Sequence, residues 1–293
     1  MRYLSLIILA ILLSEVAFAQ DAFQQLLAAE RGYAKAAAEI GQKQTALQFY
    51  SDDAIIFRPE AINGKEYWNR NEDTRLTAVR TIAASDISSN GQLGFTTGSI
   101  ELFQDGNGKP ASEFGQFVTV WGRRENGKFR PILEMSTRYD RLIVYKPKSE
   151  PKRIFDTEAN KARRSSTDPA MSFLRMSMGR SALGGAYKEF GANDMRFLRD
   201  GMPPIIGRKN VTAETKDYIA VKFPFKVALI ESGDMAYSWN VCEYANSEEG
   251  LERGNCLHIW KLRDKKWYIV LGAFARVSSD KKPELKAGRK KRK

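Results

Sequence analysis

The only histidine in the chain, His258, is the side chain best suited to acid–base chemistry near neutral pH. It alternates with Trp260 along a predicted strand, so the two side chains lie on one face. A histidine in that position could act as acid or base, or donate to a ligand carbonyl. A partly buried histidine satisfied by a backbone carbonyl is the interpretation we favour, because the sequence offers it no obvious partner.

Signatures of the common catalytic machineries are missing. The chain has no Gly-x-Ser-x-Gly elbow and no glycine-rich phosphate loop, and its N-terminal half offers no histidine to a serine. A single histidine without close cysteine or histidine partners also argues against a metal site. We therefore expect neither a metal nor a cofactor.

Both cysteines lie in the C-terminal half. Cys242 and Cys256 flank the turn-like segment 246–250, and if the strands on either side form a hairpin, the two can face each other. Such a disulfide is reasonable in an exported protein. Two buried free thiols that only pack are the alternative.

The net charge of +12 is concentrated in two segments. Residues Lys281–Lys293 contain eight Lys or Arg and one Glu, and residues 146–164 contain seven Lys or Arg and three acidic residues. The remainder is nearly neutral, so a nucleic-acid groove is not expected. We expect the tail to be disordered, and either to touch an anionic envelope surface or only to aid solubility.

The N-terminus has the pattern of a secretory signal. Arg2 precedes an apolar run over residues 4–13, and an Ala-Phe-Ala sequence ends at Ala19. We expect cleavage near Ala19 and a mature chain that begins at Gln20 and is periplasmic or secreted. No later segment approaches the roughly 20 apolar residues of a membrane-spanning helix.

The chain contains an internal repeat. With offsets of 138 to 143 residues, Phe49, Gly64, Gly91, Trp121 and Phe129 recur as Phe190, Gly207, Gly233, Trp260 and Trp267. A spacing this constant indicates a duplicated fold. We predict a signal over 1–19, a first domain over 20–145, a linker over 146–167, a second domain over 168–279 and a basic tail over 280–293.

The sequences of the two copies predict the same order of secondary-structure elements. Two helices, a short strand and a third helix precede several long antiparallel strands. In the second copy, Asp168 before Pro169 predicts a helix start. Helices followed by a meander imply an α+β domain with a curved sheet wrapped around helices.

The first copy resembles the nuclear-transport-factor-2-like or SnoaL-like superfamily, and especially its small bacterial domains of unknown function. The resemblance is carried by Tyr50-Ser51-Asp52-Asp53-Ala54, by Gly64-Lys65 before a helix, and by Val120-Trp121-Gly122-Arg123-Arg124. It implies tandem cone-shaped domains, each with about three helices on a curved, mainly antiparallel sheet. Because such domains often pair sheet to sheet, the two copies are expected to form a pseudo-dimer within the chain.

The resemblance also implies where a ligand would lie. The ketosteroid isomerases of this superfamily use carboxylates at positions that correspond here to Arg58 and Thr119 in the first copy, and to Arg199 and His258 in the second. Arginine cannot act as the base at neutral pH, so that mechanism is not expected. The implied pocket residues are Arg58, Thr119, Trp121, Glu134, Arg199, His258 and Trp260.

Two details of these pockets stay open. Asp200 could orient Arg199 or form a surface ion pair of little consequence. Arg58 and Glu134 could instead form a buried pair that closes the first cone, which is the simpler account.

Three functions follow. The preferred hypothesis is an exported, non-catalytic protein that binds a small, partly apolar and acidic molecule. The second is a lyase, isomerase or hydrolase that uses His258 as acid–base residue, with Arg199 as anion clamp and Asp200 as a further candidate. The third is an envelope-associated interaction protein with filled pockets.

Overall fold

The computed structural model describes residues 2–73, 76–104, 111–139, 168–180, 182–222, 230–247 and 250–277. The predicted linker lies outside these residues, as does the basic tail, so both stay predictions. Among the residues described, no helix is long and apolar enough to cross a membrane.

The first domain places three helices on a six-stranded sheet. Its elements are α1 (Arg2–Glu39), α2 (Gly41–Phe49), β1 (Ile55–Phe57), β2 (Ala61–Asn63), α3 (Gly64–Arg70), β3 (Leu76–Ile87), β4 (Leu93–Gln104), β5 (Glu113–Arg123) and β6 (Phe129–Tyr139). The strand order is β2-β1-β6-β5-β4-β3. Strands β1 and β6 are parallel, and the other neighbours are antiparallel.

The second domain repeats this plan. Its elements are α4 (Pro169–Ser177), α5 (Ala182–Phe190), β7 (Gly191–Arg199), β8 (Ile205–Ile206), α6 (Arg208–Glu214), β9 (Ile219–Lys222), β10 (Ile230–Ser232), β11 (Met235–Asn246), β12 (Gly250–Arg263) and β13 (Lys266–Arg276). The strand order is β10-β11-β12-β13-β7-β8, and β9 also pairs with β11. The parallel pair β13–β7 corresponds to β6–β1.

Local sequence signals explain several element boundaries. The Asn63 side chain accepts a hydrogen bond from Glu66 N at 2.9 Å and caps α3. Asp168 caps α4 in the same way, accepting from Ala170 N at 2.9 Å, with Pro169 at the first helical position. The predicted helix start at Pro169 is therefore confirmed.

The predicted disulfide is present and joins Cys242 to Cys256 within the β11–β12 hairpin. The two cysteines are not directly opposed, because Cys242 pairs with Gly254 and Cys256 with Asn240. The bridge therefore connects diagonal neighbours, whose Cα atoms are 6.2 Å apart.

The two sheets pack face to face. Alternation along each strand sends one set of side chains to this interface and the other set into the domain's own cone. Buried residues of both sheets form a single apolar core that includes Leu133, Met135, Val118 and Val120 from the first domain and Leu257, Ile259, Ile269 and Leu271 from the second. The tandem α+β architecture with an intrachain pseudo-dimer is confirmed.

A buried lysine also holds the interface together. Lys261 Nζ donates to Ile87 O at 2.7 Å and lies 3.2 Å from Asp234 and 3.5 Å from Asp86. Asp234 in turn accepts from Ser89 N at 2.6 Å. Because Asp86 and Ser89 belong to the first domain and Lys261 and Asp234 to the second, this cluster crosses between them.

Candidate functional site

The first domain contains a cavity of about 510 Å³. Helix α3 contributes Tyr67 and Trp68 to its wall, and the apolar side chains of Leu76, Ile100 and Leu102 come from β3 and β4. Arg58, which follows β1, and Glu134 on β6 also border it. This volume lies within the range of small-molecule sites, and the mixture of apolar walls and a few polar groups is typical of them.

A buried ionic network lies behind the cavity, centred on Arg80 of β3. Its guanidinium is 2.9 Å from Glu30 Oε1 on α1 and 3.1 Å from Glu134 Oε2 on β6. It also donates to Thr119 Oγ1 at 2.7 Å and lies 3.7 Å from the centroid of the Phe117 ring. One cation is therefore shared by two carboxylates in the cone.

The environment of this network perturbs its ionisation. Burial raises the pKa of Glu30 above its ordinary value, and the nearby Arg80 guanidinium partly opposes the increase. Burial also raises the pKa of Tyr50, with a further contribution from the Glu134 carboxylate. Tyr50 is therefore a neutral hydrogen-bond donor at physiological pH.

Glu134 connects the network to the cavity. Its side chain is 19% exposed, whereas the side chains of Arg80 and Glu30 are 1% and 0% exposed. The carboxylate accepts from Tyr50 Oη at 3.3 Å, from Thr119 Oγ1 at 3.2 Å and from Arg80. Of Glu30, Arg80 and Glu134, Glu134 alone borders the cavity itself.

Two further polar groups at the cavity lack partners. Trp68 Nε1 and Thr137 Oγ1 are buried and make no hydrogen bond among the residues described. Both residues border the cavity. Both atoms have almost no accessible surface, so a molecule in the cavity can pair with them only if a side chain moves.

The remaining predicted residues of the first domain have other roles. Trp121 is fully buried and donates through Nε1 to Thr96 Oγ1 at 2.9 Å, while Thr119 is fully buried beside Arg80. Arg58 is exposed and donates to Phe57 O at 3.0 Å. The alternative of a buried Arg58–Glu134 pair is wrong, because Glu134 pairs with Arg80 instead.

The cone of the second domain is filled. His258 is 3% exposed, and its ring centroid lies 4.7 Å from that of Phe173 and 6.0 Å from that of Trp260. Trp260 is fully buried and donates to Ser238 Oγ at 3.0 Å. These aromatic rings occupy the space that a ligand would need.

The partner of His258 is a side chain and not the predicted backbone carbonyl. Its Nε2 lies 3.1 Å from Tyr187 Oη, and the tautomer decides which of the two donates. Burial lowers the pKa of His258 to about 3. The imidazole is therefore neutral and a weak base at physiological pH, which does not suit acid–base catalysis.

Arg199 and Asp200 are both engaged in structural contacts. The Arg199 side chain is 4% exposed, pairs with Glu252 at 2.6 Å and lies 4.4 Å above the Tyr218 ring. The Asp200 carboxylate accepts from the backbone N–H groups of Arg138 at 2.7 Å and Arg276 at 2.6 Å. Asp200 therefore joins the two domains.

The central residues Arg80 and Glu30 were not predicted from the sequence. Glu30 lies at helical spacing from Leu26, Leu27 and Phe23, all buried. A carboxylate on the apolar face of a helix is a signal that a buried partner exists. No local signal marks Arg80 as that partner, because the two residues are 50 positions apart.

The solved structures described below each match about two fifths of the chain. No family model matches the chain, and no curated protein matches it. A solved ketosteroid isomerase-like protein from Erwinia carotovora atroseptica is 13% identical, with a TM-score of 0.33, over 38% of this chain and 92% of that one. An NTF2-like protein from Cytophaga hutchinsonii is 15% identical, with a TM-score of 0.33, over 38% of this chain and 93% of that one.

An NTF2-like protein of unknown function from Prochlorococcus is 17% identical, with a TM-score of 0.32, over 40% of this chain and 96% of that one. These solved structures are described as ketosteroid isomerase-like or NTF2-like proteins. Similarity at this level transfers no activity to the chain.

Proposed function

We propose that the first domain binds a small, partly apolar molecule with an acidic group, and that the second domain supports it without holding a ligand in its cone. The observation that carries this proposal is the 510 Å³ cavity, with the exposed Arg58 and the partly exposed Glu134 at its border. The volume and the apolar walls suit a small molecule.

The cavity is lined by two arginines, Arg58 and Arg138, and by three glutamates, and the exposed Arg58 favours an acceptor atom on the ligand. The guanidinium of Arg58 can only donate hydrogen bonds. Arg58 is exposed at the border of the cavity, where it can meet an anionic group without displacing a buried partner. A carboxylate carries the opposite charge and can accept two hydrogen bonds from a guanidinium, which is the basis for an acidic ligand.

A non-catalytic role is part of the proposal. His258, the acid–base candidate of the enzymatic alternative, is buried among aromatic rings with its pKa lowered to about 3. Arg199, its proposed anion clamp, is buried against Glu252. Neither residue supports turnover of a molecule held in the first domain.

Export is also part of the proposal, and it is supported by the N-terminal pattern from Arg2 to Ala19. Intact mass measurement of the protein purified from its own host tests it. A mature chain that begins at or near Gln20 is expected, and a chain that retains residues 1–19 contradicts export by this signal.

Native mass spectrometry of the same preparation tests the binding function. We compare the wild-type protein with Ser136→Phe, because Ser136 borders the cavity and a phenyl ring there would obstruct part of it. A released small molecule with the wild type and none with Ser136→Phe is the expected result. A wild-type protein without any bound molecule, or equal retention by the folded variant, contradicts the proposal.

A further inference from the structure

A second, much smaller void lies between the cavity and the ionic network. It measures about 10 Å³ and is bordered by Tyr50, Arg58, Arg80 and Glu134. Arg58 and Glu134 border the large cavity as well, so the void is an extension of it. A space of this size holds about one water-sized group.

The acceptor capacity of Glu134 is not exhausted. Each carboxylate oxygen can accept about two hydrogen bonds. Oε2 accepts from Arg80 and Thr119, whereas Oε1 accepts only from Tyr50 among the residues described, at 3.3 Å. Oε1 can therefore accept from one further donor.

The surroundings select the chemical type of that donor. A methyl group in the void would leave the carboxylate oxygen without a second donor. An ammonium group would meet the cations Arg58 and Arg80, which border the same void. A hydroxyl has the right size, donates one hydrogen bond and adds no positive charge.

We propose that the ligand of the first domain is a 2-hydroxy acid with an apolar chain. Its hydroxyl enters the void and donates to Glu134, and its carboxylate binds Arg58. Because these two residues border one void of about 10 Å³, a ligand whose two groups lie close together suits them best. The apolar chain lies against Leu76, Ile100 and Leu102. This inference rests on the proposed binding function and names its ligand class.

Matched probes test the hydroxyl. We compare 2-hydroxyoctanoate with octanoate by isothermal titration calorimetry on the full chain at pH 7. A hydrogen bond to a carboxylate predicts that the hydroxylated acid binds at least about tenfold more tightly. Equal affinity of the two probes overturns the 2-hydroxy acid inference and leaves the binding function intact.

Two variants assign the contacts, each with a matched control on the exposed face of α3. Glu134→Gln should reduce the affinity ratio of the two probes towards one, and Glu66→Gln should not. Arg58→Ala should weaken both probes about equally, and Arg70→Ala should not. A ratio unchanged in Glu134→Gln overturns the inference.

The same titrations separate this inference from the function on which it rests. Failure of both acids to bind the wild-type protein at millimolar concentration contradicts the acidic-ligand function, and with it the inference. Binding of both acids with no loss in Arg58→Ala contradicts the anion contact alone. The wild-type comparison does not depend on whether any variant folds.

Discussion

Replacement of Arg80 by methionine should destabilise the first domain strongly. The side chains of Arg80 and Glu30 are 1% and 0% exposed and lie 2.9 Å apart, and Arg80 is also 3.1 Å from Glu134. Methionine fills a similar volume but leaves both carboxylates without their cation. Removing one partner from a buried ion pair costs about 3–5 kcal/mol, so we expect a loss of that size at pH 7.

The stability lost in Arg80→Met should be smaller at low pH than at neutral pH. Burial raises the pKa of Glu30, and Arg80 opposes the increase, so removal of Arg80 should raise that pKa further. Some carboxyl groups have a higher pKa in the folded state than in the unfolded state. Such a group lowers the free energy of unfolding as the pH rises above its unfolded-state pKa. The penalty disappears as the pH falls towards the ordinary value of 4.5.

Each further unit of pKa difference corresponds to about 1.4 kcal/mol. We therefore expect Arg80→Met to be less destabilising at pH 5 than at pH 7, by about 1–2 kcal/mol. Urea unfolding of both proteins, followed by circular dichroism at the two pH values, measures this difference.

Arg70→Met is the matched control. The Arg70 side chain is 73% exposed, and its substitution should change stability by no more than about 0.5 kcal/mol. A loss below about 1 kcal/mol for Arg80→Met, equal at both pH values, would refute the reasoning that Arg80 compensates two buried carboxylates.

Three other substitutions test the second domain and the interface. The pKa of His258 is lowered to about 3, so the free energy of unfolding should fall as the pH falls below the unfolded-state pKa of 6.5. His258→Phe should flatten this pH dependence, which urea unfolding from pH 7 to pH 4 measures. The Cys242→Ser/Cys256→Ser double variant opens a loop with a sequence separation of 14 and should lose about 3 kcal/mol, a loss that reductant reproduces in the wild type. Lys261→Met removes the cation between two interface carboxylates and should cost about 3–5 kcal/mol, whereas a cost near zero in thermal unfolding would show that the cluster contributes nothing.

Features that depend on local or periodic sequence signals were predictable. The repeat in the positions of glycines and aromatic residues predicted two domains, and Asp168 before Pro169 predicted the start of α4. The turn between Cys242 and Cys256 predicted the hairpin and its disulfide, although not the diagonal pairing.

The centre of the site was not predictable in the same way. Arg80 meets carboxylates that are 50 and 54 positions away in the sequence, and these separations leave no local pattern. The partner of His258 was missed for the same reason, since Tyr187 lies 71 positions before it. Sequence reasoning could place single residues in a cone but could not tell which of them would meet.

The difference between the two cones follows from one pair of equivalent positions. Thr119 pairs with Glu134 across β5 and β6, and His258 pairs with Gly272 across the corresponding strands of the second domain. A β-carbon on Gly272 would lie 2.9 Å from Tyr187 Oη, so the tyrosine occupies the space where the first domain has a carboxylate. The second cone therefore cannot acquire the equivalent of Glu134 unless Tyr187 moves, and that movement would remove the partner of His258. Because the aromatic filling stabilises one cone by the same contacts that close it, our proposal assigns ligand binding to the other.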